Sequence, residues 1–519
     1  MSRFASALGV SAIGMASKVL AIAKTMLIAA LFGAGAMLDA FWVAYTLPLL
    51  LPALLTNVVT VAFVPRFMAS LEGRDGPGVW RGANTLFTTI LLLSVLAAVA
   101  MVLWAPALVA ILAPGLAAET QAEAVRLTRI LMPTIPLLTV SSLLSAISNA
   151  RERFALPALE GVLTNVAVIA CALALARPLG VGALIVGVVI GLVTQAAVLI
   201  SGNWSMIKRN VRPALDWGHP DFRAPAAHLM PLLVGSAGSI LASLVSQFFL
   251  SHGEAGAISL MAYATMFAFL PAEVFAQAVI TTFYPTFGRH FARGERQQAA
   301  EVFADGIRFI LFLTVPCAIL LLVFAEPLMV LLLERGAFSS SDTRGVALLT
   351  AVLAVAMVFR AFAYFNYRIL HAALRPWLQV GLGLVCVGVH IGLCALWISE
   401  YGALGVAAAL TLSTMLEALL SLLATGRVLH IRWHTGLARE LGRIALIAIP
   451  MAVAGVVAFG WVWPPEDQGR IGASATAMVL AALTGLVGLV VAWLLRQPDL
   501  AWMLGVLRAR RAARTVARR

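Results

Sequence analysis

Two lysines, Lys18 and Lys24, stand six residues apart inside an otherwise apolar run over residues 6–32. A charged side chain at membrane depth costs about 2.5–3.5 kcal/mol on insertion scales, so it faces a cavity or a partner. At about 100° per residue the two ammonium groups lie roughly 120° apart around a helix, close enough to border one wide aqueous space. Two readings of Lys24 are open: it snorkels or pairs with a carboxylate, or it lines a lumen that takes an anionic head group. The acid nearest in sequence is Asp39. A second polar group lies in the apolar run 343–370, where Arg360, Tyr364, Tyr367 and His371 follow the i, i+4, i+7, i+11 spacing of one helix face. Glu273 and Gln277 share a face one turn apart behind Pro271, and Glu417 sits beside Ser413 and Thr414. For the two glutamates a helix-to-helix hydrogen bond or ion pair and a role in proton or substrate handling are both open.

No catalytic constellation accompanies these groups. The eight histidines are scattered, no His/Asp/Glu cluster has metal spacing, and no Gly-rich phosphate loop follows a strand. The sequence therefore points to no enzyme, metal or cofactor. Cys171, Cys317, Cys386 and Cys394 fall in apolar stretches without ligand spacing and read as buried thiols.

The elements that must carry these side chains follow from composition. Of 519 residues 62% are hydrophobic and 11% charged, against about 25% charged in an average soluble domain. Long apolar blocks alternate with short basic loops, the pattern of a polytopic, all-α integral membrane protein. Spans are expected near 6–32, 40–65, 83–113, 127–149, 157–177, 181–204, 227–250, 257–287, 304–325, 343–370, 376–398, 402–425, 441–462 and 472–496. With these fourteen helices, 26 Lys and Arg fall on one side and six on the other, which places both termini in the cytoplasm. The net charge of +13 thus reports orientation in the bilayer, and no nucleic-acid partner is expected. Arg3 ahead of the first apolar run superficially resembles a signal peptide, but Lys18 and Lys24 interrupt it, so it reads as an uncleaved span. The basic tail from Leu507 to Arg519 reads as lying on anionic lipid or disordered, with docking of a protein partner as the other reading.

A weak repeat organises the spans. Leu47-Pro48 followed by Phe63-Val64-Pro65 matches Leu270-Pro271 followed by Phe283-Tyr284-Pro285, at offsets of 223 and 220 residues. Helices six apart correspond, as in parallel-repeat transporters. The expected domains are an N-lobe over 1–204, a cytoplasmic linker over 205–226, a C-lobe over 227–425, a helix pair over 426–496 and a basic tail over 497–519.

The stretch "SKVLAIAKTMLIAALFGAGAMLDAFWVAYTLP" with "AFVP" at 62–65, "MAYATMFAFLP" with "YPTFGRHFARG", and "GAFSSSDTRGVALL" resemble the MurJ/MviN family of lipid II flippases in the multidrug/oligosaccharidyl-lipid/polysaccharide exporter superfamily. The resemblance implies two pseudo-symmetric six-helix lobes around a central cavity, a C-terminal helix pair, and alternating access that carries an undecaprenyl-pyrophosphate-linked sugar precursor from the inner to the outer leaflet of the bacterial inner membrane. Ser17, Lys18, Lys24 and Asp39 occupy positions where the family has a serine, two functional arginines and an aspartate. Lysine keeps the charge and loses the bidentate fork that suits a diphosphate. Pro52, Ala53, Asn57 and Val58 replace an arginine pair, an acid and a glycine, while Thr265, Met266 and Phe269 replace an Asp-Arg pair with a nearby Glu. "FNYRILHAALRP" stands where the family has an "FYALGDTKTP"-like segment. Arg360 compensates in part for these losses, and the expected substrate contacts are Lys18, Lys24, Asp39, Arg360, Ser17, Tyr364, Glu273 and Gln277. The partners implied are a lipid-linked oligosaccharide substrate, membrane lipids and cell-wall or glycan-synthesis machinery. Lipid II, another lipid-linked glycan of exopolysaccharide or O-antigen type, and a non-transporting scaffold that kept the fold are the functions in competition.

Overall fold

The computed structural model describes residues 3–48, 78–218, 241–372, 376–429, 435–463 and 469–500. Most of the second expected span, the family-like residues 62–65, the replaced positions 52, 53, 57 and 58, the last eight residues of the linker, residues 227–240 of the seventh span and residues 501–519 of the basic tail lie outside these. Every element among the described residues is helical. That outcome follows from the solvent, because in hydrocarbon a helix satisfies its backbone hydrogen bonds within one segment.

Ten helices are long and apolar enough to cross a bilayer, and a bent pair, Ala118–Leu131 with Thr134–Ala150, makes up to eleven. One of the ten, Pro376–Leu429, is interrupted at Gly402 (φ 53°, ψ −132°), which separates it into the two spans expected at 376–398 and 402–425. Twelve of the fourteen expected spans are thereby accounted for, and the second and seventh continue into residues outside the described set. The helices over 36–48 and Leu241–Leu250 are their described parts.

Three boundaries differ from expectation, each for a local reason. The third span ends at Leu103, and a separate helix Ala105–Leu112 follows with proline in its first turn. The fourth bends by 45° at Met132-Pro133, since proline cannot donate to the helical ladder, and it begins at Ala118, so Arg126 and Arg129 are helical rather than in a loop. The fifth has a short helix, Ala155–Ala158, ahead of Glu160–Leu179.

Internal contacts divide the chain into two compact units, Met1–Ser259 with Arg335–Ser339, and Leu260–Glu334 with Ser340–Arg519. In the first, Leu86, Ile90, Leu143, Leu144, Ile147, Leu199 and Met206 form one core cluster. Two buried hydrogen bonds join its elements: Asn203 Nδ2 donates to Ser148 Oγ at 2.8 Å, and Gln247 Nε2 to Thr46 Oγ1 at 2.7 Å. The start of the linker lies along the Gly78–Leu103 helix, with the Ala214 and Asp216 amides donating to Thr88 and Thr85 hydroxyls at 3.2 Å each.

In the second unit Phe303 stacks on Phe365 at 5.8 Å, and Phe312, Ile447 and Ala492 seat the helices Thr435–Val462 and Arg470–Leu494 on Arg296–Leu333. Two ionic clusters hold this last pair. Near one end Arg470 Nη2 lies 3.4 Å from Glu326 and 3.2 Å from Glu334, while Trp463 Nε1 donates to Glu326. Elsewhere Arg308 Nε donates to both oxygens of Asp499 at 3.1 and 3.0 Å. Large apolar side chains face outward, among them Trp461 at 85% exposure, which inverts the soluble pattern and suits a lipid environment.

Candidate functional site

In the first unit the site residues sit on the Arg3–Phe32 helix and the helix after it. Lys18 and Lys24 are both half-buried on that helix. Among the described residues no carboxylate forms an ion pair with Lys24. Ser17 is held at a helix crossing: its carbonyl accepts from Asn165 Nδ2 at 3.2 Å, and a Cβ on Gly161 would collide with its hydroxyl. The small residue at 161 lets the two helices approach closely at Ser17, which shares a face with Lys24 two turns on.

Asp39 has a different occupation from the one expected. Its carboxylate, 2% exposed, accepts from the Gly256 amide at 2.7 Å, the Ser259 amide at 2.7 Å and the Ser259 hydroxyl at 2.6 Å. These amides open the Ala257–Ala292 helix, and an anion there satisfies donors the helix itself cannot. Gly256 has φ +95°, and a Cβ would lie 2.7 Å from the Ala34 carbonyl oxygen, so glycine is required for the turn that presents its amide. With these donors bound, Asp39 caps the Ala257–Ala292 helix.

In the second unit the polar stripe of the Ser340–Ala372 helix divides. The Arg360 guanidinium lies over the Phe269 ring, 4.5 Å from its centroid, and 5.3 Å from that of Tyr364; Nη2 donates to the Tyr364 hydroxyl at 2.9 Å. Tyr364 is 39% exposed. Tyr367 instead turns to the Pro376–Leu429 helix and donates to Glu417, beside a second interhelical bond from Asn366 Nδ2 to Ser421 Oγ at 3.2 Å. The Ser413 and Thr414 hydroxyls return to the Leu410 carbonyl at 3.0 and 2.7 Å, so they leave Glu417 to Tyr367.

Phe269 stands where the resembled family carries an acid, and here it supplies an aromatic face to a cation from another helix. Thr265, at the family's aspartate position, bonds back to the Met261 carbonyl at 2.8 Å. Glu273 and Gln277 are both exposed on the Ala257–Ala292 helix, one turn apart as expected. No group of three or more His, Cys, Asp or Glu among the described residues could hold a metal ion.

Sequence reasoning missed the Arg308–Asp499 pair and the Glu326–Glu334–Arg470 cluster. It also missed Glu160, hydrogen-bonded to the buried Gln195. The only signal available was the rule that in-span charges have partners, which already applied to Arg308 but named none for it.

The comparisons with known proteins agree with this architecture. The family described as "Lipid II flippase MurJ" matches residues 28–463. The chain is 27% identical over 500 residues to the probable lipid II flippase MurJ of Rhizobium tropici, covering 92% of this chain and 89% of that one. With the lipid II flippase MurJ of Burkholderia cenocepacia it shares 30% over 368 residues, 69% and 71% of the two chains. Among solved structures it is similar to a lipid II flippase MurJ in an inward closed conformation, with a TM-score of 0.77 and 19% identity over 92% of this chain and 97% of that one. An inward-facing MATE family transporter of the MOP superfamily shares the fold at a TM-score of 0.60 and 15% identity, covering 83% and 99% of the two chains. A multi-pass membrane protein with this helix order and a match over residues 28–463 belongs to the lipid II flippase MurJ family.

Proposed function

We propose that this protein moves lipid II, the undecaprenyl-pyrophosphate-linked peptidoglycan precursor, from the inner to the outer leaflet of the bacterial inner membrane by alternating access. The observation that carries this reading is the family match over residues 28–463, together with lysines at both cationic positions of the first helix. Lys18, Lys24, Arg360 and Tyr364 are the groups assigned to the head group, with Ser17 as a support and Glu273 and Gln277 as further contacts. Charge neutralisation by the diphosphate gives the loaded protein a differential stability that the empty one lacks, which is what any ligand-driven conformational step requires. The reading involves no covalent chemistry, no metal and no cofactor. Both termini are cytoplasmic, the lobes span 1–204 and 227–425 about the 205–226 linker, and cell-wall synthases are the protein partners the substrate implies.

Reconstitution tests it. Purified protein in liposomes loaded with lipid II should expose the inner-leaflet lipid to an external glycosyltransferase, and Lys24→Ala should slow that exposure at least tenfold. Equal rates in liposomes with and without protein would reject the reading. One observation favours a second reading, a different lipid-linked glycan: Thr265 and Phe269 leave the eighth span without the family's acids. Exposure of an O-antigen-type lipid without exposure of lipid II would select it.

A further inference from the structure

The chain that leaves the sixth span is fastened to the first unit along one side and amphipathic on the other. Within residues 204–217, Met206 joins the core cluster of that unit, and Ile207 and Val211 pack against it. Four hydrogen bonds then tie the stretch to the Gly78–Leu103 helix. Asn84 Nδ2 donates to the Asn210 carbonyl at 2.9 Å, the Ala214 and Asp216 amides donate to the Thr88 and Thr85 hydroxyls, and the Trp217 indole donates to Thr89 at 3.1 Å. Asp216, the one acid of the stretch, is taken by Arg81 at 3.0 Å. Asn84, Thr85, Thr88 and Thr89 thus form a polar stripe at the start of an otherwise apolar helix, and the stretch covers it.

This fastening leaves Trp204, Lys208, Arg209, Arg212, Leu215 and Trp217 outside, the two tryptophans at 58% and 59% exposure. Their level in the bilayer follows from helix geometry. The Gly78–Leu103 helix has 26 residues and is about 39 Å long, more than the ~30 Å hydrocarbon core, so its first turns stand among head groups. Thr89, eight residues beyond Arg81, lies about 12 Å further along the axis, at the boundary with hydrocarbon. An indole is stable at that boundary because its ring is apolar and its N–H is polar, and cations beside it meet lipid phosphates.

We propose that residues 204–217 are an interfacial anchor that binds anionic phospholipid head groups. Lys208, Arg209 and Arg212 contact the phosphates, while Trp204, Leu215 and Trp217 enter the boundary layer. Charge complementarity selects the occupant: the exposed cations carry no acid of their own stretch, since Asp216 is spent on Arg81. The anchor is independent of the substrate that the protein carries.

The test uses the full-length protein in vesicles of phosphatidylcholine and phosphatidylglycerol. Ser205, which is exposed, is replaced as Ser205→Cys and labelled with nitrobenzoxadiazole, and protein without the added cysteine supplies the background. A nitroxide on the acyl chain of one lipid or the other is the quencher. Both lipids should quench the label, and phosphatidylglycerol should do so about fivefold more strongly at equal mole fraction, the attraction expected of a single cation at a charged leaflet. Lys208→Gln, Arg209→Gln and Arg212→Gln together should abolish that excess and leave the quenching by phosphatidylcholine. Salt at about 1 M, where the Debye length is about 3 Å, should do the same without these substitutions, so the question is decided even if the triple variant does not fold. Trp204→Ser with Trp217→Ser should lower quenching by both lipids. Equal quenching by the two lipids at low salt would overturn the selection of anionic head groups. Quenching by neither would overturn the anchor itself, and a label shielded instead by added polyglutamate or RNA would give the surface to a soluble acidic partner.

Discussion

The Arg360 guanidinium lies over the Phe269 ring, its carbon 4.5 Å from the ring centroid. A cation on an aromatic face keeps its hydrogen-bonding edge free, whereas a cation on a carboxylate spends it. Phe269→Leu should remove about 1 kcal/mol of that support and reduce lipid II flux roughly fivefold, with melting temperature within about 2 °C of wild type. Phe269→Glu should do more, because a direct ion pair would occupy Arg360. Flux in reconstituted liposomes is the measurement, and wild-type flux in Phe269→Glu would contradict the assignment.

The lysines of the first helix invite a substitution toward the family. Lys24→Arg adds a planar fork that fits a diphosphate in two bonds, so it should bind pyrophosphate at least as tightly as wild type. Lys18→Ala and Lys24→Ala should each lower affinity at least tenfold without loss of expression. Calorimetric titration of pyrophosphate into the purified protein reads all three, and an unchanged affinity in Lys24→Ala would remove that residue from the site.

Asp39 tests a structural role. Its two oxygens accept three hydrogen bonds at 2.6–2.7 Å at the start of the Ala257–Ala292 helix. Asp39→Asn replaces one acceptor oxygen by a donor facing an amide, and should cost about 2–3 kcal/mol of stability. Ser259→Ala removes one of the three and should cost about 1 kcal/mol. Thermal melts in one detergent give the comparison. A destabilised Asp39→Asn with unaltered pyrophosphate affinity is the expected pattern, and the reverse pattern would return Asp39 to the substrate.

These cases show what the sequence could convey. The membrane class and twelve of the expected spans were readable because bilayer thickness acts on whole segments. Arg360 and Tyr364 were readable as one group because the i, i+4 spacing puts them on one helix face, and the structure joins them by a hydrogen bond. The capping bonds of Asp39 were hidden because Gly256 and Ser259 lie over 200 residues away in sequence. The split of Tyr367 from Arg360 was hidden for a similar reason: one helix stripe is shared between a neighbouring helix and open space, and periodicity does not say where the division falls.

Arg308 and Asp499 offer a test away from the site. Asp499 is 3% exposed and bonded through both oxygens, so Asp499→Ala would take from the mostly buried Arg308 guanidinium the carboxylate that accepts from its Nε. Breaking one side of such a pair costs about 3 kcal/mol. Arg308→Met combined with Asp499→Leu should recover most of that loss, because no buried charge is then left alone. Melting temperatures of the single and double variants check it, and additive losses would contradict it.

The central claim is tested most directly in a cell depleted of its own essential lipid II flippase and supplied with this protein, with membrane insertion verified. Lipid II accessible in the outer leaflet is the quantity to measure. The account predicts that it returns to the level of undepleted cells with the wild-type chain and stays at the depleted level with Lys24→Ala or Arg360→Ala. A well-inserted wild-type chain that leaves outer-leaflet lipid II at the depleted level would contradict it.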